Sequence, residues 1–181
     1  NLLCHLDGSM RLDTFMELAS DAGYDLLSSQ EEAYNHYFPC DENCQEHFSN
    51  FFDETVPLMQ TAEVLQRVAY ETAYDAAEQN CLYLEVRFCP LRHQENNLGL
   101  DALVEAVCAG LQEASEKTGI KCRVIITGLR TIDPASSLEL AELAVRWRGR
   151  GVVAFDLAGT EKDNPAKRHQ KAFYHLLNNN M

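Results

Sequence analysis

Positive charge is scarce in this sequence: 15 Lys and Arg stand against 28 Asp and Glu, a formal net charge of -13 over 181 residues. A chain this acidic is repelled by phosphate backbones and anionic headgroups, so neither nucleic acid nor a membrane surface is expected as its main partner. Long apolar runs are lacking too: none approaches the ~20 residues of a membrane-spanning helix, and no charged-apolar-small leader opens the chain. Neither common Gly-rich phosphate loop occurs, nor a G-x-S-x-G elbow, which removes the usual support for nucleotide phosphate cleavage and serine hydrolysis. Small neutral or cationic ligands remain open.

What is present is ordinary for a globular protein. The apolar fraction is 46%, with one Trp, and the length suffices for one well-buried domain. The seven cysteines, odd in number and scattered through apolar segments, read as reduced packed thiols and hence as a cytoplasmic protein. No initiator Met is present, and Asn178-Asn179-Asn180-Met181 brings no closing element, so truncation at both ends is the expectation.

The periodicity alternates between two kinds. An apolar opening, Leu2-Leu3-Cys4, runs into His5-Leu6-Asp7-Gly8, which reads as a strand delivering polar side chains to the mouth of a fold. Leu12, Phe15, Met16 and Ala19 then take helical spacing up to Gly23. Residues 24 to 60 are irregular, with breakers at Pro39 and Pro57. Thr61 caps a helix that buries Val64, Leu65, Val68, Ala69, Ala73, Ala76 and Ala77. Cys81 to Phe88 alternates as a strand, with Leu82, Leu84, Val86 and Phe88 on one face and Tyr83, Glu85 and Arg87 on the other. Asp101 opens a helix ending at Gly119, Cys122 to Thr127 is a β-branched strand, and Asp133-Pro134 caps a helix that runs to Gly149. Val152 to Leu157 forms the fourth strand, and Asn164-Pro165 starts a last helix with Phe173, Leu176 and Leu177. Four strands alternating with helices imply a parallel α/β sheet, either open and doubly wound or the first half of an eight-stranded barrel. The pattern alone leaves both open.

In either architecture chemistry gathers at the carboxyl ends of the strands. The residues there are His5, Asp7 and Gly8; Arg87, Cys89 and Pro90; Arg130; and Asp156, Ala158, Gly159 and Glu161. His5 alone could be a structural histidine, Asp7 a turn residue bonding its own backbone, and Gly159 either a turn or a close approach to a ligand. Glu85 and Arg87, two apart on one strand face, read as neutralising one another. Cys40, Cys44 and His47 have sulfur and imidazole at short spacing. However, C-x3-C-x2-H is irregular and lacks an evident fourth ligand, and the H-x-E plus P-C-x-x-C pattern is absent, so free thiols are the preferred reading.

Taken together, His5-Leu6-Asp7-Gly8-Ser9 with Arg11, Arg67-Val68-Ala69-Tyr70-Glu71, Leu84-Glu85-Val86-Arg87-Phe88-Cys89-Pro90 and Gly151 through Gly159 make the chain resemble the N-terminal half of the metal-dependent adenosine deaminases. The resemblance implies that residues 1–181 are part of a (β/α)8 barrel catalytic domain, about four βα units of it, whose partner is the missing C-terminal half. It implies a purine nucleoside substrate, adenosine or deoxyadenosine, hydrolysed to inosine or deoxyinosine plus ammonia with a zinc-activated water. On that matching His5 is a zinc ligand that also meets substrate, Asp7 binds a ribose hydroxyl, the Gly159 backbone meets the purine ring, and Phe48 and Phe52 form an apolar gate. Two departures follow. Leu3 stands where the family has the other histidine of its His-x-His pair, and the family's His-Ala-Gly-Glu motif and later His and Asp-Asp segments do not occur, so no catalytic acid or base is expected in this chain and the fragment alone should be inactive. Thr131, after Arg130, replaces a frequent His. The alternatives are a non-catalytic nucleoside-binding or interaction module of the same fold, and a deaminase of adenine or a modified adenosine. A half barrel would also expose two strand edges and apolar helix faces, which favours self-association.

Overall fold

The computed structural model describes residues 2–24 and 52–181. Phe48 and the Cys40, Cys44 and His47 group lie outside the described residues. Four parallel strands, β1 (Cys4–His5), β2 (Tyr83–Phe88), β3 (Lys121–Leu129) and β4 (Val152–Ala158), pair in the order in which they occur in the chain. Between and after them run α1 (Leu12–Asp21), α2 (Ala62–Glu78), α3 (Leu100–Thr118), α4 (Pro134–Trp147) and α5 (Gln170–Asn178). Short 3-10 turns occupy Val56–Leu58, Pro90–His93 and Ala166–His169.

Strand order decides between the two architectures. A doubly wound sheet reverses direction partway, placing helices on both faces. Here every right-handed crossover advances the same way, so the helices share one face and the other becomes the inside of a curving sheet. That is the winding of half a (β/α)8 barrel.

The caps follow local chemistry. Thr61 Oγ1 accepts from the Val64 N–H at 3.3 Å, and Asp133 Oδ1 accepts from the Ala135 N–H at 2.7 Å with Pro134 at the first helical position. The core lies between sheet and helices: Leu84, Val86 and Phe88 of β2, with Val124 and Ile126 of β3, meet Leu65, Val68 and Ala69 of α2 and Leu103, Val104 and Val107 of α3. Each such fully buried aliphatic side chain contributes about 1.5–3 kcal/mol. Ion pairs fasten α1 to α2, Arg11 to Asp75 and Arg67 to both Glu17 and Glu71, so the family-like Arg11 and Arg67–Glu71 segments serve the scaffold.

Two expectations are corrected, and the fourth strand, which runs where it was expected, carries an irregularity. Leu82 does not join the apolar face of β2: it is 83% exposed, because pairing with β3 starts only at Tyr83 opposite Lys121. The third helix starts at Leu100 with Gly99 as its cap; Asp101 instead accepts from Trp147 Nε1 at 2.7 Å and from Arg146 at 2.9 Å, linking α3 to α4. The fourth strand is not regular. Val124 pairs with Val152, but Ile125 pairs with Ala154, leaving Val153 as an extra residue.

Helices α2 and α3 approach closely at Gly110. A Cβ on Gly110 would lie 2.1 Å from the Gln66 carbonyl oxygen, backbone that cannot turn aside. Gly110→Ala is therefore expected to cost at least about 1–3 kcal/mol through overpacking. A denaturant titration should show a lower midpoint at unchanged slope, whereas an unchanged midpoint would mean the two helices separate freely.

Candidate active site

Parallel register brings the strand ends to one level. His5 ends β1 opposite Arg87, and the Leu6 N–H donates to the Arg87 carbonyl at 3.0 Å. The turn after it is tied down by the Ser9 hydroxyl, which donates to the His5 carbonyl at 2.6 Å, and by Thr55, whose hydroxyl donates to the Asp7 carbonyl at 2.8 Å. At the far edge Gly159 follows β4 with φ +97, a conformation an L side chain rarely adopts, and the Arg130 N–H donates to the Ala158 carbonyl at 2.8 Å. His5, Asp7 and Gly159 line one cavity of about 270 Å3, together with Phe52, Arg87 and Thr127. A larger hollow of about 510 Å3 opens at the other end of the strands, beside Cys122, Arg123 and Val152, away from these groups.

Of the two aromatic gate positions, Phe52 is described. Its ring sits 5.5 Å from the His5 ring, centroid to centroid, and 3.4 Å from where a Gly8 Cβ would be, so it lines the cavity beside the end of β1. Leu3 is 55% exposed and its side chain offers no lone pair.

The cavity floor is charged. Arg87 Nη2 reaches across β3 to Asp156 Oδ2 at 2.6 Å, and Glu85 instead accepts from the Tyr83 hydroxyl at 2.8 Å. The expected Glu85–Arg87 pair is thus replaced: both residues face the sheet interior, but the register of β4 sets Asp156 inward beside Thr127, where the guanidinium finds it. Arg87 Nε, Thr127 Oγ1 and Asp156 Oδ1 are buried and have no partner among the described residues. Such atoms are costly unless paired, so the floor is suited to a polar guest.

Behind this surface lie two fully buried histidines that the sequence did not single out. His93 Nδ1 faces the Met59 carbonyl at 2.9 Å and Nε2 faces Asp7 Oδ1 at 3.2 Å. His169 Nε2–H donates to the Arg130 carbonyl at 3.1 Å, and its Nδ1 accepts from the Ser137 hydroxyl at 2.7 Å. The first ring backs Asp7; the second backs the loop beside Gly159. A lone His in a polar loop carries no periodic signal, and only the fold brings each to its partner.

Cys89 borders the cavity, but burial pushes its thiol up to about 11, so it is no nucleophile near neutrality. Cys4, Cys81, Cys89, Cys108 and Cys122 are all free thiols, as expected. No three His, Cys, Asp or Glu residues among those described are grouped to hold a metal. His5 is a suitable single donor, Leu3 is none, and the described residues do not by themselves make a zinc site.

Burial, and next the Arg87 guanidinium, hold the His5 imidazole below its ordinary pKa of 6.5, against the opposing pull of Asp7 and Asp156. Protons therefore favour the unfolded chain: this contribution to stability is complete above pH 6.5 and is lost as the pH falls through the lower folded-state value. An NMR titration of the His5 ring should give a midpoint below 6.5, and Arg87→Met should move it upward. A midpoint at or above 6.5 would contradict this placement of His5.

The geometry can be set beside known proteins. A family profile described as Adenosine deaminase matches residues 1–181. An adenosine deaminase of Mycobacterium sp. (strain KMS) is 42% identical over 184 residues, covering 97% of this chain and 50% of the relative; the chain spans about half the length of that relative. Among solved structures, Arabidopsis ADAL complexed with IMP has a TM-score of 0.81 at 27% identity, covering 99% of this chain and 55% of that one. An amidohydrolase from Burkholderia ambifaria with bound Zn has a TM-score of 0.81 at 25% identity, covering 96% and 47%. With the winding of the sheet, the strand-end cavity and the full-length match all agreeing, this chain belongs to the adenosine deaminase family.

Proposed function

We propose that these residues form the substrate-side half of a purine nucleoside deaminase. The reaction replaces the exocyclic amine at C6 of adenosine or deoxyadenosine with oxygen from water, giving inosine or deoxyinosine and ammonia. The observation that carries this reading is the convergence of His5, Asp7 and Gly159 on one cavity at the carboxyl ends of the strands. The IMP in the Arabidopsis relative, a nucleotide of the base that such a reaction yields, supports the purine class.

Each residue has a task its chemistry suits. The Asp7 carboxylate accepts a hydrogen bond from a ribose hydroxyl, a charge-assisted contact that also orients the base. Glycine at 159, where φ is positive, puts no side chain between the loop and a flat purine. Phe52 screens the cavity from solvent on the β1 side. His5, held neutral, is the residue among those described that would hold the family's zinc ion, whose chemistry is to acidify a bound water. The remaining donors and the proton-transferring groups would come from the rest of the barrel, and residues 1–181 alone should not deaminate.

The complete gene product containing these residues is the material for the test. Asp7→Ala should raise KM for adenosine about tenfold to a hundredfold, the scale of a lost hydrogen bond to a charged group, as followed by ammonia release. An unchanged KM would remove Asp7 from the site. Leu3→His should raise zinc per polypeptide and the deamination rate together. Equal zinc and equal rates with Leu3 and with the histidine variant would overturn the reading of Leu3 as a lost ligand.

A further inference from the structure

His93 has no role in the reaction as described so far, yet its surroundings are unusually constrained. The ring is fully buried, its centroid lies 5.9 Å from that of Phe88, and both nitrogens are engaged. The Met59 carbonyl can only accept, so Nδ1 carries a hydrogen and donates at 2.9 Å. Met59 is itself fully buried, and its carbonyl is a fixed anchor rather than a mobile side chain. The ring is therefore locked in one orientation before it meets Asp7. Its Nε2 then lies 3.2 Å from Asp7 Oδ1, and since a carboxylate also only accepts, the bond requires a hydrogen on Nε2 too: the ring clamps Asp7 as an imidazolium that donates from both nitrogens.

Asp7 needs such a hold. It stands in Asp7-Gly8-Ser9, a sequence in which a carboxylate readily bends back to bond backbone N–H groups two residues on. In the fold it does not: Oδ1 is taken by His93, the main-chain carbonyl by Thr55, and Oδ2 has no hydrogen-bond partner among the described residues. Asp7 lines the cavity, so one oxygen is anchored behind and the other remains for a ligand. The anchoring group comes from the turn after β2, so two βα units jointly set the position of one carboxylate.

We infer that His93 is a positioning residue: it clamps Asp7 through Oδ1 so that Oδ2 meets the ribose hydroxyl, and thereby sets the preference for nucleoside over free base. The inference rests on the proposed function and adds to it the group that makes Asp7 selective. Losing the clamp lets Asp7 turn toward its own backbone, and weakens only those ligands that carry a ribose.

Inosine and hypoxanthine, which differ by the ribose and do not react further, are the probes. Their dissociation constants are measured by calorimetry on the complete gene product, for the wild type, His93→Leu and His93→Gln, with circular dichroism to verify folding. His93→Leu should lose about tenfold to thirtyfold of inosine affinity, the size of one charge-assisted hydrogen bond, with hypoxanthine unchanged. His93→Gln, whose amide can donate toward Asp7, should recover part of that preference. With adenosine as substrate, KM should rise while kcat stays nearly constant. An equal loss for both probes would make His93 merely structural, and an undiminished inosine preference in either folded variant would likewise overturn the inference. A wild type that binds both probes equally would overturn the ribose role of Asp7 and the inference with it. If the leucine variant does not fold, the glutamine variant alone decides: it must differ from wild type on inosine and match it on hypoxanthine.

Discussion

Arg87 meets Asp156 across roughly 10 Å of sheet, two strand spacings, because β2, β3 and β4 keep a parallel register that sets Ile125 beside Arg87 and Thr127 beside Asp156 on the lumen side. His5 stands beside Arg87 through the same register on the other side. The strand-end cavity therefore depends on this one ion pair. Its guanidinium helps keep His5 neutral against the opposing pull of the carboxylate, and the pair gathers Thr127 and Asp156 into a floor with polar atoms to spare. The guanidinium is nearly buried and the carboxylate about a third exposed, so breaking the pair costs toward the lower end of the ~3–5 kcal/mol of a buried ion pair. The benefit is positional: a charged group fixed at mid-sheet where water would otherwise compete.

Around that floor, side chains of different elements hold the lining groups from behind. Thr55 and His93 hold the Asp7 turn; His169, seated on Ser137 of α4, holds the Arg130 carbonyl next to Gly159. Both edges of the cavity are thus positioned by buried hydrogen bonds to groups some 30 to 90 residues distant in sequence, as the separations of 32, 48 and 86 show. Such bonds cost much if one partner is lost, because the other is left unpaired in the interior. The loops gain rigidity in this way without needing long secondary structure of their own.

Much of the fold was legible in the sequence because periodicity and caps are local. The α2 stripe from Leu65 to Ala73, the Thr61 and Asp133 caps and the β-branched run of β3 all need only near neighbours to interpret. The winding needed the order of strands, which no local pattern carries. Leu82 misled because alternation continues past the residue where pairing stops. Glu85 and Arg87 misled because proximity along one strand was weighed without knowing that the register of β4 sets Asp156 inward. Of the cavity lining, His5, Asp7 and Gly159 were reached through strand-end logic and family resemblance; the buried His93 and His169 behind it were not, since their partners become neighbours only after folding. Phe48 and the Cys40, Cys44 and His47 group lie outside the described residues.

The extra residue at Val153 has an implication for which sequence changes this fold can survive. Side chains alternate along a strand, yet Val152 already stands opposite Val124 and Ala154 opposite Ile125, so losing Val153 would straighten the ladder and leave Asp156 opposite Thr127 and facing the lumen. Phe155 would keep its edge-on contact with Phe173 of α5, at 5.6 Å between ring centroids, and Arg87 its counter-ion. A residue added between Ala154 and Asp156 would do the opposite and turn Asp156 toward the helix layer. Descendants of this chain are thus free to vary or to lose the exposed residue at 153: the pairing of Asp156 with Thr127, rather than the count of residues in the first half of β4, is what inheritance must preserve.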